Sequence, residues 1–233
     1  MRLGWVAVLA LTTPASAQEG AVEHMGVARD GKGRALLVSA ADPVTLEGLS
    51  AWPAAQLGAL VRVRGEATVG RFLPEATVGP DGEVSQGVAP GSVQTQLGVE
   101  EVTVLLAPPW TLAIDGGSHD TLTLARSSAD GAVTWATSSP PRHLQSSQHY
   151  EGYPTLEGPL DDAELVAMWA WLGPAVAQGT PAEPGPRSMG TARLHLTTGG
   201  ERRELHLGMG ATRTLEAALR AWLAARPEAS TAP

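Results

Sequence analysis

Apolar and polar residues alternate with a period of two over much of the first half of the chain, which is the pattern of half-buried β-strands. The clearest case is residues 60–67, where Val61 and Val63 fall on one side and the neighbouring arginines on the other. Glycine, proline and aspartate separate these segments. The pattern predicts five or six short strands in residues 22–106, with no long helix, and therefore a small β-barrel or β-sandwich.

The second half of the chain combines further strands with segments that have the 3.6-residue period of helices. Asp161 and Glu164 have the spacing of a capping box, so a helix is predicted to begin there. We expect it to stop or kink near Leu172, because Gly173-Pro174 follows. A second helix is predicted from about residue 214 to residue 225.

A hairpin between these two helices is centred on Gly199-Gly200. This turn places Arg193 opposite His206 and His195 opposite Glu204 on one face, with four leucines on the other face. Two histidines and a carboxylate are possible metal ligands, but Arg193 would repel a cation. We therefore interpret these residues as the solvated face of an amphipathic sheet and predict no metal site.

A local motif in the first half resembles the OB-fold domains of exported bacterial proteins. It consists of Gly58-x-x-Val61-x-Val63-x-Gly65, and it follows a Trp52-Pro53 turn. The resemblance, over residues 22–106, implies a small β-barrel, and such barrels often bind oligonucleotides by stacking bases on aromatic side chains. Here the aromatic residues are only Trp52 and Phe72, so packing or protein contact is favoured over nucleic-acid binding.

The predicted fold is therefore a mixed β and α+β architecture in two domains. An OB-like β-barrel would occupy residues 18–107, and an antiparallel sheet with two packed helices would occupy residues 108–233. Pro108-Pro109 is the expected boundary, because neither proline can donate a backbone hydrogen bond.

The first residues have the organisation of a secretory signal peptide, residues 1–17. Arg2 is followed by a short apolar run, and Ala15-Ser16-Ala17 supplies the small residues of a cleavage site. No later apolar run approaches the roughly 20 residues of a membrane-spanning helix, so no membrane insertion is expected. Cleavage near Ala17 would place a soluble protein outside the cytoplasm, either periplasmic or secreted.

Composition excludes several classes of function. The 233 residues contain no cysteine, which excludes disulfides, a thiolate nucleophile and cysteine-bound metals. The formal net charge is −8 and Lys32 is the only lysine, so nucleic acid is not an expected partner.

The sequence also lacks a recognisable catalytic motif. Residues 117–120, Gly-Ser-His-Asp, contain the residue types of a catalytic triad, but consecutive residues of an extended chain point in alternate directions and cannot converge. We therefore predict no enzymatic activity, no catalytic residues and no cofactor.

The strongest candidate for a binding site is the long loop predicted at residues 137–158. It contains both tyrosines of the protein, and tyrosine with small polar neighbours is typical of recognition loops. One tyrosine could instead fold inward and hold the loop against the sheet. The predicted binding residues are His149, Tyr150, Glu151 and Tyr153.

Three hypotheses of function follow. The first is an exported, non-catalytic binding protein whose partner is another extracytoplasmic protein. The second is a secreted inhibitor of an extracellular protease, because the order of elements in residues 110–225 is similar to small bacterial inhibitors of thermolysin-like metallopeptidases. The third is a hydrolase whose acidic and histidine residues would have to form a cluster in space.

Overall fold

The computed structural model describes residues 21–31, 33–71, 76–78, 84–86, 93–116, 120–139, 155–183, 190–226 and 230–231. The elements of the first half are strands: β1 (Val22–Gly31), β2 (Arg34–Val38), β3 (Val44–Glu47), β4 (Leu60–Arg71), β5 (Ala76–Val78), β6 (Val84–Gln86) and β7 (Val93–Leu106). Those that follow are β8 (Trp110–Asp115), β9 (Thr121–Arg126), β10 (Val133–Ser138), β11 (Leu156–Leu160), α1 (Asp162–Gln178), β12 (Thr180–Pro181), β13 (Ala192–Thr198), β14 (Glu201–Leu207), α2 (Met209–Ala224) and β15 (Ser230–Thr231).

Five strands of the first half close into a ring in the order β1-β2-β3-β7-β4, because β4 also pairs with β1. All neighbours are antiparallel except β3 and β7, which run parallel. Apolar side chains fill the inside, as the alternation in residues 60–67 predicts. Trp52 is buried there and its indole Nε1 donates to the carbonyl of Leu36 at 2.8 Å, so it occupies the core.

The remaining long strands form an antiparallel sheet of eight strands, in the order β12-β14-β13-β8-β9-β10-β11-β15. Alternate residues of its strands are buried under α1 and α2, and Leu122 and Leu124 of β9 are examples. An antiparallel sheet with two packed helices is therefore confirmed.

Helix α1 begins as its sequence predicts but does not end where expected. Asp161 accepts a hydrogen bond from the Glu164 amide at 2.7 Å, and the Glu164 carboxylate accepts from the Asp161 amide at 3.1 Å. Of the two outcomes predicted near Leu172, a stop or a kink, the stop is wrong, because the helix continues through Pro174 to Gln178. Burial of Leu172 and Ala175 on either side of the proline stabilises the longer helix against the lost hydrogen bond.

Two other boundaries differ from expectation. Helix α2 starts at Met209, five residues before the predicted start, where the buried Thr212 hydroxyl donates to the carbonyls of Leu207 and Gly208. The predicted loop 137–158 is shorter at both ends, since β10 includes residue 138 and β11 begins at Leu156. Neither helix in the described part of the chain is long and apolar enough to cross a membrane.

The ring and the helix-covered sheet share one hydrophobic cluster. Val27, Leu60 and Leu106 belong to ring strands, yet they pack with the buried residues of the second region. Met25 and Val38 of the ring are half-buried against the same cluster. The outer side of β1 and β2 is therefore an internal contact surface.

An ion-pair cluster, which we call the arginine clamp, crosses the same contact. Asp162 accepts hydrogen bonds from Arg29 of β1 and from Arg126 of β9. Arg29 also donates to the carbonyl of Ala129 at 2.6 Å, and Arg126 donates to the carbonyl of Gly58 at 2.6 Å. Each arginine thus reaches from its own region into the other.

In the arginine clamp, hydrogen bonds and opposite charges favour the ionised forms of Asp162 and Arg126, although both side chains are largely out of water. Burial by itself raises the pKa of Asp162, but hydrogen bonds from Arg29 and Arg126, with their charges, hold that pKa below its ordinary value. Burial lowers the pKa of Arg126, and the carboxylate of Asp162 opposes that effect. The carboxylate of Asp162 and the two guanidinium groups therefore stabilise one another in this buried position.

Candidate binding surface

The predicted binding residues His149, Tyr150, Glu151 and Tyr153 lie outside the described residues, within 140–154. The structure does describe both ends of the segment that contains them. The Thr137 hydroxyl donates to the Leu156 carbonyl at 3.4 Å and accepts from the Leu156 amide at 3.2 Å. These bonds join the end of β10 to the start of β11, so the residues on either side of the segment lie close together.

The neighbouring strands present a face that neither of the described helices covers, which we call the open face. Its central row crosses six strands in the order Glu204, His195, Ala113, Thr123, Ala136 and Glu157. The next row is Arg202, Thr197, Thr111, Ala125, Thr134 and Pro159. In both rows the long side chains stand on the outer strands, while alanine and threonine occupy the middle.

The short side chains leave a shallow, open groove on the β10–β11 side of the open face. The groove has a volume of about 580 Å³. Its lining residues in the described part of the chain are Thr123, Thr134, Trp135, Ala136, Glu157, Gly158 and Pro159. A surface of this size can receive side chains of a partner. It lies beside the described ends of β10 and β11, between which the segment predicted to bind begins and ends.

The other side of the open face has the charged residues that the hairpin register predicts. Arg193 pairs with His206 and His195 with Glu204, as expected from the Gly199-Gly200 turn. The Glu204 carboxylate lies 3.4 Å from Arg193 Nη1 and 3.8 Å from His195 Nδ1. Across the described ranges, no group of three or more acidic or histidine residues is placed to hold a metal ion.

Residues 117–120, which resemble a triad in composition, are described only in part. Ser118 and His119 fall outside the described residues. Asp120 is buried and accepts a hydrogen bond from the Ser139 hydroxyl, which ties the end of β10 to the start of β9. The adjacent cavity, which also contacts Glu216, has a volume of only about 10 Å³. That is room for one water molecule and not for a substrate.

The two edges of the sheet differ in how they are covered. At one edge, β12 pairs with β14 through Thr180 and Pro181, beside the exposed charges of β14. At the other edge, β15 pairs with β11 through Ser230–Glu157 and Thr231–Leu156 among the described residues. The β11 edge borders the groove.

Sequence reasoning missed β11 and the arginine clamp. Gly158 and Pro159 interrupt the alternation of β11, although proline is tolerated close to a sheet edge. Arg126 occupies the inward position of the alternating segment that precedes it, and this position could have indicated a buried arginine. Its partner Asp162 cannot be found from spacing, because 36 residues separate them.

Comparisons of the chain with protein-family models, with curated proteins and with solved structures find no match. We therefore infer function from the open face and its surroundings.

Proposed function

We propose that this protein is an exported, non-catalytic binding protein that contacts another extracytoplasmic protein through its open face. The observation that carries the proposal is the groove of about 580 Å³ over Thr123 and Ala136. Short side chains across three neighbouring strands allow a partner to approach the backbone closely. The segment with Tyr150 and Tyr153 begins and ends beside this groove.

The distribution of charge supports binding rather than hydrolysis. Among the described residues, the histidines of the open face lie on β13 and β14, where His195 is already close to the Glu204 carboxylate. Two strands, β8 and β9, separate that cluster from β10, which lines the groove. A hydrolase would need such groups to converge on one concave site.

We also propose that the ring is an OB-like module used for packing. A five-stranded Greek-key ring is the architecture of OB folds, which bind ligands on the face of their second and third strands. Here Val38 of β2 packs against the core of the second region. Val27 of β1 does the same, so part of the outer surface contributes to stability.

The proposal is tested by filling the groove. Ala136→Arg places a long charged side chain on the floor, while Ala217→Arg adds the same side chain at an exposed position of α2 and serves as the matched control. Each protein is immobilised and exposed to the extracytoplasmic fraction, and retained proteins are identified by mass spectrometry. The unchanged protein and Ala217→Arg should retain one protein that Ala136→Arg retains at least about tenfold less.

A double variant, Tyr150→Ala with Tyr153→Ala, tests the adjacent segment in the same experiment. It should weaken capture of the same protein. Equal capture by all variants would overturn the role of the open face.

A further inference from the structure

The two halves of the open face differ in the length of their side chains. The half on β13 and β14 carries Arg193, His195, Arg202 and Glu204. The other half carries threonine and alanine on β9 and β10, where the groove lies, with Glu157 of β11 at its outer side. A face with this arrangement fits a second copy of itself, because a twofold rotation lays the long side chains of each copy over the groove of the other.

A twofold axis that runs along the strands between β8 and β9 produces this contact. These are the middle two of the six strands β14-β13-β8-β9-β10-β11. Rotation about the axis lays β13 of one copy over β10 of the other, so that His195 comes over the floor of the groove near Ala136. β8 lies over β9, where the short side chains of Ala113 and Thr123 allow the two sheets to approach closely.

The outer strands bring opposite charges together in the same arrangement. β14 lies over β11 at about 12 Å from the axis, because neighbouring strands are about 4.8 Å apart. Packed sheets cross at about 30°, so the residue above Glu157 is shifted by about 6 Å, or about two residues, along β14. The residue of β14 in the same row as Glu157 is Glu204, and two residues from it stand Arg202 and His206. Either direction of the shift therefore places a basic side chain over Glu157, and Arg202 is the exposed one of the two.

Glu157 and Arg202 are not already paired within the part of the chain that the structure describes. Both side chains are exposed, and neither takes part in an ion pair among the described residues. Glu204, by contrast, lies 3.4 Å from Arg193 Nη1. A contact between two copies therefore supplies two Glu157–Arg202 pairs, one on each side of the axis, and leaves the Arg193–Glu204 pair in place.

The open face is large enough for a dimer. Its six strands have five to seven residues each. At about 4.8 Å between strands and about 3.4 Å along them, the face covers about 600 Å². Two such faces bury about 1,200 Å², which is the lower limit of stable, specific interfaces. We therefore expect a reversible dimer that dilution dissociates.

We propose that two copies of this chain form a twofold-symmetric dimer through their open faces, with Glu157 of each copy paired to Arg202 of the other. The dimer covers the groove, so another protein binds there only when the two copies separate. This competition rests on the proposed function, whereas the dimer itself rests on the two complementary halves of the open face.

The first experiment measures dimerisation of the purified full chain by sedimentation equilibrium. Glu157→Arg and Arg202→Glu each place two pairs of like charges in the dimer and should raise its dissociation constant at least about tenfold. Glu47→Arg and Arg213→Glu make the same changes of charge at exposed positions outside the open face. These two control variants should dimerise as the unchanged chain does.

The second experiment mixes the two open-face variants and tests the pairing itself. At the two positions the Glu157→Arg chain carries only positive charges and the Arg202→Glu chain only negative ones, so both pairs of a mixed dimer are of opposite charge. Fluorescently labelled Glu157→Arg should therefore bind Arg202→Glu about as tightly as the unchanged chain binds itself. A mixture of Glu47→Arg and Arg213→Glu should dimerise no more tightly than either chain alone.

Two results would overturn the dimer. One is an unchanged chain that stays monomeric at its highest soluble concentration. The other is a pair of open-face variants that do not bind each other more tightly than each binds itself.

The results also separate failure of the dimer from failure of the proposed function. If the chain is monomeric while Ala136→Arg still reduces capture of another protein, the dimer is refuted and the proposed function stands. If the mixed variants restore the dimer but Ala136→Arg leaves capture unchanged, the dimer stands and the proposed function fails.

Discussion

The ring and the eight-stranded sheet deal with the hydrogen-bonding edges of their strands in opposite ways. Each ring strand has a neighbour on both sides, so the ring has no open edge. The eight-stranded sheet ends in a two-residue strand on each side, and in the part of the chain that the structure describes neither helix covers its open face. Because the ring is closed, only its outer surface can make contacts. Part of that outer surface packs on the second region. The open sheet keeps its open face, which is the surface of the proposed binding.

The cores of the two regions also differ, in the size of their buried side chains. The ring contains small side chains such as Ala28, Ala35 and Ala59, with Trp52 as its one buried tryptophan. The second region buries three tryptophans, Trp110, Trp135 and Trp169, among many leucines. We therefore expect the stability of the ring to depend on the contact between the regions more than the stability of the sheet does.

The largest effect is expected from breaking the arginine clamp. Asp162→Asn leaves the guanidinium of Arg126, which is 1% exposed, without its carboxylate. Removing one partner of a buried ion pair should lower the free energy of unfolding by about 3–5 kcal/mol, measured by denaturant unfolding.

The neighbouring residue gives a matched control for that prediction. Asp161→Asn keeps a residue that caps a helix equally well, and its side chain is exposed. It should change the free energy of unfolding by less than about 0.5 kcal/mol. Similar losses for Asp161→Asn and Asp162→Asn would mean that the clamp contributes little to the contact.

A smaller effect is expected from a pair of glycines with the same backbone conformation. Gly58 and Gly48 have φ values of +72° and +78°, so alanine is strained at both by about 1–2 kcal/mol. A Cβ on Gly58 would also overlap the backbone of Ala129 in the second region, while one on Gly48 meets nothing within 4 Å.

The difference between the two alanine variants therefore isolates the contact between the regions. Gly58→Ala should cost about 1–3 kcal/mol more than Gly48→Ala, because the overlap forces the two regions apart. Thermal unfolding of both variants measures the difference. Equal costs would show that the regions separate without penalty.

The smallest effect is expected from pH and concerns the ring alone. Burial lowers the pKa of His24 below its ordinary value of 6.5. At pH values between the lowered pKa and 6.5, this histidine binds more protons in the unfolded chain than in the folded protein. The free energy of unfolding should therefore fall as pH decreases from about 6.5. His24→Gln should remove this dependence in denaturant titrations at several pH values.

Acidification below that range reports on the arginine clamp instead. The pKa of Asp162 is lowered from its ordinary value of 3.8, so its stabilisation is present above that value and is lost as pH falls through the lowered pKa. His24→Gln should not alter this second loss, whereas Asp162→Asn should abolish it.

Local chemistry explains which parts of the structure could be predicted from the sequence. The hairpin register follows from Gly199-Gly200, and the start of α1 follows from Asp161 and Glu164, because each feature depends on a few adjacent residues. The failures have tertiary causes. Pro174 lies inside α1 because burial of neighbouring residues outweighs a local preference, and Gly158 lies in a strand for the same reason.

The candidate surface also has a part that could be predicted from the sequence and a part that could not. The solvated face of β13 and β14 was predictable, because alternation places Arg193 and His195 opposite the leucines. The groove was not, since its lining comes from β9, β10 and β11, and β11 was not recognised as a strand. The arginine clamp depends on Arg29 and Asp162, which are 133 residues apart.

The single parallel pair of the ring bears on how quickly the protein folds. Residues 44–47 of β3 pair with residues 95–98 of β7, which lie far away in the sequence. Strand β7 must also pair with β4. The entropy of closing such a long loop is lost before these pairings can compensate it, and chains dominated by distant pairings fold slowly. The ring should therefore form late, over milliseconds to seconds, after the β13–β14 hairpin and the two helices have begun to assemble.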